Sequence, residues 1–179
     1  MNMRIKKFNE MKSGDLYDYG CVMINLDFPN WEKLISKINP KDIYLPEDPT
    51  HGIESNPHVT ILYGLHSDVT EEEVIRSIQN KGISNINLEV NGIDIFQNKD
   101  FDVIKMNVKS DTLNTLNKEL SKLPHTSDYP DYKPHITIGY VKPGLGIKYR
   151  QPDYKYSFNN IKNIVYTKTD GEIIYIQLK

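Results

Sequence analysis

The sequence predicts an α+β fold of two similar lobes, each an antiparallel-rich sheet with outer helices, separated by a central cleft. The phrase PHVTILYG, which begins at Pro57, returns as PHITIGYV, which begins at Pro134. Each copy also follows a strand, a helix and a loop in the same order. A duplicated unit with two lobes related by a pseudo-twofold axis explains this repeat and places the two phrases face to face across the cleft.

The spacing supports a duplication. The histidines of the two phrases are 77 residues apart, and the preceding strands lie 37 residues (Cys21 to His58) and 32 residues (Val103 to His135) upstream of them. We therefore expect an N-terminal segment at 1–18, partly irregular, and one bilobal domain at 19–179. Its lobes would span about 19–97 and 98–179, either contiguous or interleaved.

Composition narrows the class of protein. The 179 residues suffice for one domain with a core, and a formal net charge of −2 argues against a protein that grips long nucleic acid through its phosphates. Cys21 is the single cysteine, so no intrachain disulfide forms. The N-terminus has no signal-peptide pattern and no apolar run approaches the roughly 20 residues of a membrane helix. We expect a cytoplasmic protein without membrane contact.

The elements of the first half follow from local patterns. A strand is predicted at 20–26, a short helix at 30–38 and a long loop at 41–57 before the first phrase. Thr70 and Glu73 form a capping box that begins a helix over 70–81, which Gly82 ends. A strand follows at 86–96.

The second half repeats the order. A strand is predicted at 101–108, a leucine-striped helix from Ser110 or Asp111, a loop at 124–134 and then the second phrase. The segment 142–152 reads as a loop containing glycine and proline. The stretches 160–168 and 172–178 read as a closing hairpin.

Strand alternation gives each phrase a functional face. In the first phrase, His58, Thr60 and Leu62 should share one face, while Val59, Ile61 and Tyr63 should share the other and join the core. The histidine and threonine would stand about 6.5 Å apart along the strand.

Two facing His-x-Thr pairs suit phosphoryl chemistry. Imidazole has an unperturbed pKa of about 6.5, so one histidine can act as general base and the other as general acid. The threonine hydroxyls can donate to the non-bridging oxygens of a phosphate. The predicted catalytic residues are therefore His58, Thr60, His135 and Thr137, and the near symmetry leaves open which histidine is the base.

These residues resemble a known signature. His58-Val59-Thr60-Ile61 and His135-Ile136-Thr137-Ile138 are similar to the paired motifs of the 2H phosphoesterase superfamily, which includes 2′-5′ RNA ligase-like proteins and cyclic phosphodiesterases. The resemblance extends over about 20–178 and implies the bilobal fold.

A closer resemblance concerns the segments 19–23 and 52–64, which look like the tailed-phage anti-CBASS phosphodiesterases. It implies an enzyme of immune evasion that, in the host cell cytoplasm, destroys small cyclic di- and trinucleotide messengers of antiphage signalling. It also implies a reaction without metal or cofactor, in which a ribose 2′-hydroxyl attacks the adjacent phosphodiester. In that family a tyrosine and a glutamate support the site; by position they are Tyr19 (with Tyr17 competing) and Glu172.

Further residues near the second phrase are candidates for binding substrate: Lys133, Tyr132 and Tyr140. Two more cations follow, Lys142 and Arg150, for which a solvated charge is the default reading. Tyrosines read as loop residues around the second phrase either stack on nucleobases or cover a thin core: Tyr129, Tyr132, Tyr149, Tyr154 and Tyr156. We predict no metal site, since His51, His66 and His125 lack a recognised ligand spacing.

Two other functions stay open at this stage. One is an RNA-end-processing, 2′,3′-cyclic or 2′-5′ phosphodiesterase of the same superfamily. The other is a non-catalytic sponge that binds cyclic nucleotides, which two intact His-x-Thr pairs disfavour. The sequence gives neither base preference nor oligomeric state.

Overall fold

The computed structural model describes residues 17–45, 51–127, 129 and 131–179, so nearly all of the segment expected at 1–18 lies outside it. These residues contain eight strands: β1 (Gly20–Asn25), β2 (His58–Leu65), β3 (Ile86–Gln97), β4 (Asp102–Lys109), β5 (His135–Val141), β6 (Gln151–Ile161), β7 (Asn163–Thr167) and β8 (Ile173–Gln177). The α-helices are α1 (Trp31–Ile35), α2 (Glu71–Gln79) and α3 (Asp111–Leu120), and 3₁₀ turns lie at Pro40–Asp42 and Gly146–Tyr149.

The strands form two four-stranded antiparallel sheets of matching layout. Their orders are β2-β1-β7-β8 in the first sheet and β5-β4-β3-β6 in the second. The two phrases thus occupy equivalent edge strands, β2 and β5, each next to the strand that precedes its helix and loop. This arrangement confirms the predicted α+β fold with two pseudo-symmetric sheets.

The sheets are not contiguous halves of the chain. β3 pairs with β4, while β7 and β8 close the first sheet from the far end of the sequence. The boundary expected near residues 97 and 98 therefore falls inside a hairpin of the second sheet. The strands of the two sheets are interleaved along the chain.

One core joins both sheets and the helices. Alternate residues of β1 and β4 point into it, as do the buried apolar residues of β2 and β5, and α3 adds Leu113, Leu116 and Leu120. The predicted capping box of α2 is present: Thr70 accepts from the Glu73 backbone and Glu73 reaches back to the Thr70 backbone. Ser110, rather than Asp111, caps α3.

The segment after the second phrase differs from the prediction. Residues 151–161 form the strand β6 instead of continuing a loop, so Tyr154 and Tyr156 are strand residues. Their partly buried side chains pack against the main core, and the Tyr156 ring lies 4.4 Å from that of Phe28. β6 was missed because it is an edge strand in which most residues are exposed and polar, with few apolar side chains to mark it.

The face assignment within β2 was wrong beyond Ile61. The register jumps there, because Thr60 faces Met23 while Leu62 faces the preceding residue, Val22. Ile61 is thus the extra residue of a β-bulge, and Leu62 turns into the core whereas Tyr63 packs beside Cys21 and Met23. Strict alternation holds only up to the bulge.

No helix within the described part of the chain is long and apolar enough to cross a membrane.

Candidate active site

The two predicted histidines begin the edge strands that meet. β2 and β5 contact each other, and His58 and His135 are their first residues. Both rings are partly exposed, as are Thr60 and Thr137, while Val59 and Ile136 between them are buried. The alternation predicted for the first three residues of each phrase is therefore present in both strands.

Each imidazole is oriented by its own backbone. Nδ1 of His58 lies 3.1 Å from the carbonyl oxygen of Asn56, and Nδ1 of His135 lies 2.8 Å from that of Lys133. A carbonyl oxygen only accepts, so Nδ1 carries the proton in both rings. When the rings are neutral, Nε2 is consequently the nitrogen that can take up a proton.

The surroundings disfavour the charged form of both rings. Burial lowers the pKa of His58, against the opposing hydrogen bond to Asn56. Burial also lowers the pKa of His135, and the charges of Lys105 and His58 lower it further. The hydrogen bond to Lys133 opposes this shift. Two neutral imidazoles near neutral pH follow from this, and the charge of Lys105 contributes to the shift on the His135 side.

A β-bulge follows the threonine in both strands. Thr137 faces Lys105 and Gly139 faces Ile104, which leaves Ile138 as the extra residue, just as Ile61 is in β2. Bulges concentrate next to active sites because they re-aim side chains. The duplication thus preserves a local irregularity as well as the motif letters.

The motif strand β2 is fixed from the other half of the molecule. Asn117 of α3 donates from Nδ2 to the carbonyl of Ile61 at 2.8 Å, and Tyr132 donates from its hydroxyl to the carbonyl of Thr60 at 2.9 Å. These bonds hold the backbone on both sides of the bulge, so the direction of the Thr60 side chain is set by two distant elements.

The loop before each motif crosses to the other motif strand. Glu54 donates its backbone N–H to Ile138 at 2.9 Å, and Thr126 donates to Gly64 at 2.9 Å. The approach at Gly64 is very close, because a Cβ there would lie 1.9 Å from the Thr126 oxygen. The segments that lead into the motifs therefore connect the two sheets by backbone hydrogen bonds.

The pseudo-symmetry can be followed residue by residue across the sheets. His58 faces Asn25 and His135 faces Asn107. The match ends two residue pairs further, where Met23 faces Thr60 but Lys105 faces Thr137. The two sides of the cleft thus differ in charge.

Lys105 was not identified from the sequence. It is 5% exposed, its Nζ lies 4.2 Å from the centroid of the Phe96 ring, and it donates to Asn107. The Phe96 ring lies edge-to-face with His135, with centroids 5.2 Å apart. The available signal was the alternation of Lys105, Asn107 and Lys109 with apolar residues in β4, which places the lysine on the motif face.

Two supporting residues expected from the resemblance lie far from His58. Glu172 precedes β8, level with Gly20, and its carboxylate pairs with Lys168 at 2.5 Å. Strand spacing puts it roughly 20 Å from His58. Tyr19 precedes β1, its ring packs 6.0 Å from that of Tyr63, and strand rise separates it from His58 by a similar distance. Tyr17, the competing tyrosine, pairs through its backbone with Thr169.

The three candidates for substrate binding have different settings. Lys133 is exposed, immediately before the second motif. The Tyr132 hydroxyl donates to the Thr60 carbonyl, and this contact positions the first motif strand. The Tyr140 ring lies 4.9 Å from that of His51, and burial raises the pKa of Tyr140 to about 12.

Other polar candidates are held in structural contacts. Arg150 pairs with Asp94 at 3.0 Å, Lys142 donates to the Lys41 carbonyl at 2.8 Å, and Tyr149 donates to Asp42. Tyr129 is 79% exposed. Over 17–45, 51–127, 129 and 131–179, no three His, Cys, Asp or Glu residues lie close enough to hold a metal ion.

An exposed aromatic on the motif face was also missed. Thr60, Met23, Val165 and Tyr175 form one row across the first sheet, and directly paired residues share a face. Tyr175 is 72% exposed. The apolar and polar alternation of the short strand β8 does not indicate that Tyr175 lies in the same row as Thr60.

Comparison with known proteins places the chain in the superfamily that its two motifs resemble. The family model described as the 2′-5′ RNA ligase superfamily matches residues 32–154. Similar solved structures include E. coli LigT (16% identity, 92% of this chain and 96% of that chain, TM-score 0.52). They also include the MHV ns2 PDE domain (14%, 89% and 99%, TM-score 0.53) and a protein described as a phosphoesterase (15%, 89% and 95%, TM-score 0.51). At these identities the likeness shows a shared fold. No curated protein matches the chain significantly.

Proposed function

Because the chain belongs to the 2′-5′ RNA ligase superfamily, also called the 2H phosphoesterases, we propose that it is a phosphodiesterase in which His58 and His135 act as general base and general acid. One observation carries the proposal: both histidines stand at equivalent positions of contacting strands, each with Nδ1 bound to a backbone carbonyl. Two prepared imidazoles on one cleft match the two proton transfers of phosphoryl transfer.

The proposed reaction combines these roles with the 2′-hydroxyl attack that the resemblance implies. One Nε2 takes the proton of a ribose 2′-hydroxyl, whose oxygen bonds to the adjacent phosphorus. The bond from phosphorus to the 5′-oxygen breaks, and the other imidazole gives that oxygen its proton. The products are a 2′,3′-cyclic phosphate and a 5′-hydroxyl; water can then open the cyclic phosphate with the two roles exchanged. Thr60 and Thr137 donate hydrogen bonds to the non-bridging oxygens.

The asymmetry of the cleft supports one assignment of the two roles. Lys105 lies on the His135 side and adds to the burial that lowers the pKa of His135. The equivalent position beside Thr60 is Met23, which carries no charge. We therefore assign His135 as the general base, since a neighbouring cation favours its neutral form, and His58 as the general acid, which a bound phosphate recharges.

The proposed substrates are the small cyclic di- and trinucleotides of antiphage (CBASS) signalling. Three features support this choice: the net charge of −2, the exposed Tyr175 on the face that carries Thr60, and the likeness of 52–64 to the anti-CBASS enzymes. Tyr175 offers a flat ring on which a base can stack. The low charge disfavours a long RNA partner.

The substrate experiment uses 3′,3′-linked cyclic GMP-AMP in EDTA, followed by mass spectrometry. We expect a linear product with wild-type protein and intact messenger with the variant that carries His58→Ala and His135→Ala. An untouched messenger would rule out this substrate and direct the assay to RNA ends with 2′,3′-cyclic phosphates and to 2′-5′ linkages. Binding without turnover of any of these would favour the sponge.

A further inference from the structure

A cavity of about 350 Å³ lies beside the second motif, on the His135 side of the cleft. Its polar lining includes three lysines and no acidic residue: Lys105, Asn107, Lys109, Ser110, Asn114 and Lys133. The excess of cationic donors indicates an anionic ligand.

Two of the lysines, Lys105 and Lys109, lie on the face of β4 that also carries the partner of His135. Lys105, Asn107 and Lys109 alternate along β4 with buried Met106 and Val108, so the first three share one face. Asn107 faces His135 across the β4–β5 pair. The cavity is therefore continuous with the surface on which the histidine stands.

The other half of the molecule lacks these charges. Counting from the paired motifs, Met23 stands where Lys105 stands and Asp27 where Lys109 stands. Asn56, two residues before His58, corresponds to Lys133. The duplicated fold thus carries three lysines on one side only, and folding alone does not require them.

The ammonium group of Lys105 is largely withdrawn from water, and a bound anion would compensate its charge. It is 5% exposed, and burial lowers the pKa of Lys105 while the charge of Asp94 opposes that shift. Asp94 already pairs with Arg150, and Glu89, the residue facing Lys109, lies outside the cavity lining. Withdrawing an ammonium from water is costly unless a partner compensates it.

We propose that this cavity, with Lys105, Lys109 and Lys133, binds a second phosphate group of the substrate, distinct from the phosphodiester that is cleaved. The inference rests on the proposed function and adds a rule of substrate choice. A molecule with two phosphates places one between the histidines and the other among the lysines. Lysine donors to phosphate are charge-assisted and so among the stronger hydrogen bonds.

Two sources can supply such a phosphate, and the substrates separate them. Cyclic GMP-AMP has a second phosphodiester, 5′-phosphorylated 2′,3′-cyclic AMP has a terminal phosphate, and plain 2′,3′-cyclic AMP has neither. The variants are Lys105→Met, which copies the Met23 of the other half, and Lys109→Met, an exposed position whose change spares the core. Lys162→Met, also exposed, is the matched control.

We expect either cavity variant to lower kcat/KM on a two-phosphate substrate about 10- to 100-fold more than on plain 2′,3′-cyclic AMP, mainly through KM. A selective loss on cyclic GMP-AMP identifies the diester as the second group, and one on the 5′-phosphorylated compound identifies the terminal phosphate. Equal losses on all three substrates in an active enzyme would overturn the inference alone.

Binding is measured separately, so that inactivity of the wild-type protein on all three substrates counts against the proposed function only. Calorimetric titration with inorganic phosphate should show weaker binding in Lys109→Met and unchanged binding in Lys162→Met. Equal phosphate binding by both variants would overturn the second-phosphate site whatever the turnover.

Discussion

The rings of His58 and His135 are oriented by the same hydrogen bond, from Nδ1 to the carbonyl oxygen two residues earlier, at 3.1 and 2.8 Å. The bond fixes the tautomer of each neutral ring and leaves proton exchange to Nε2. The surroundings then differ, because Lys105 lies beside His135 only. Equal orientation with unequal charge allows one imidazole to begin as base and the other to finish as acid.

The assignment of acid and base predicts selective rescue by a better leaving group. A substrate with sulfur in place of the bridging 5′-oxygen departs as a thiolate, which needs no proton. We expect this substrate to restore most of the activity lost in His58→Ala and little of that lost in His135→Ala, measured by single-turnover rates. Rescue of His135→Ala instead would reverse the roles.

The threonine hydroxyls should act mainly in the transition state. Thr60→Val and Thr137→Val keep the β-branched shape but remove a donor, so we expect each to lower kcat about 10²- to 10³-fold with a smaller change in KM. Thr115→Ala, on the exposed side of α3, is the control. A loss under threefold in both motif variants would contradict a role for these hydroxyls.

Stability should decline on the acid side in a way that depends on the two histidines. The folded protein holds the pKa of both below 6.5, so below about pH 6.5 the unfolded chain binds protons first. The free energy of unfolding is therefore fully present above that pH and falls as pH drops through the folded pKa values. Urea unfolding at pH 7.5 and 5.0 should show a smaller decline in a His58→Asn, His135→Asn variant than in wild type. An equal decline would show that the rings contribute nothing to it.

The crossing of the loops makes Gly64 a structural requirement. It has a φ of +104°, and an added Cβ would meet the Thr126 backbone. We expect Gly64→Ala to destabilise the protein by about 3 kcal/mol or more, since left-handed strain alone costs about 1–3 kcal/mol. Gly82 has a φ of +61°, and an added Cβ there would have no atom within 4 Å. Gly82→Ala should therefore lower the free energy of unfolding by only about 1 kcal/mol. Urea midpoints that rank the two variants in the opposite order would contradict the close approach.

Much of the fold was readable because the duplication repeats strong local signals. The capped helices and the apolar strands were located from period and capping residues, and Ser110 and the Thr70–Glu73 box are present. β6 was missed because an edge strand needs little apolar sequence. The register jump at Ile61 was missed because a bulge depends on the partner strand.

The residues of the candidate site that belong to a sequence motif were predicted from the sequence. The His-x-Thr pairs are visible twice in the sequence, and the structure places both histidines at the start of contacting strands. The alternation along β4 was the local signal for Lys105, whereas Tyr175 lies on a motif face through cross-strand pairing that no local pattern reveals. Tyr19 and Glu172 were placed by position, and strand order carries them away from His58.

The central claim is that the two histidines act in one reaction. Single-turnover cleavage of 3′,3′-linked cyclic GMP-AMP by His58→Asn, His135→Asn and the double variant tests it. His125→Asn serves as control, because the His125 Nδ1 also bonds a carbonyl two residues earlier, at 2.9 Å, but outside the paired strands. We predict losses of about 10²- to 10⁴-fold for each single variant, and a double variant close to the worse single one. Single variants within tenfold of wild type, or losses that multiply in the double variant, would contradict two-histidine catalysis.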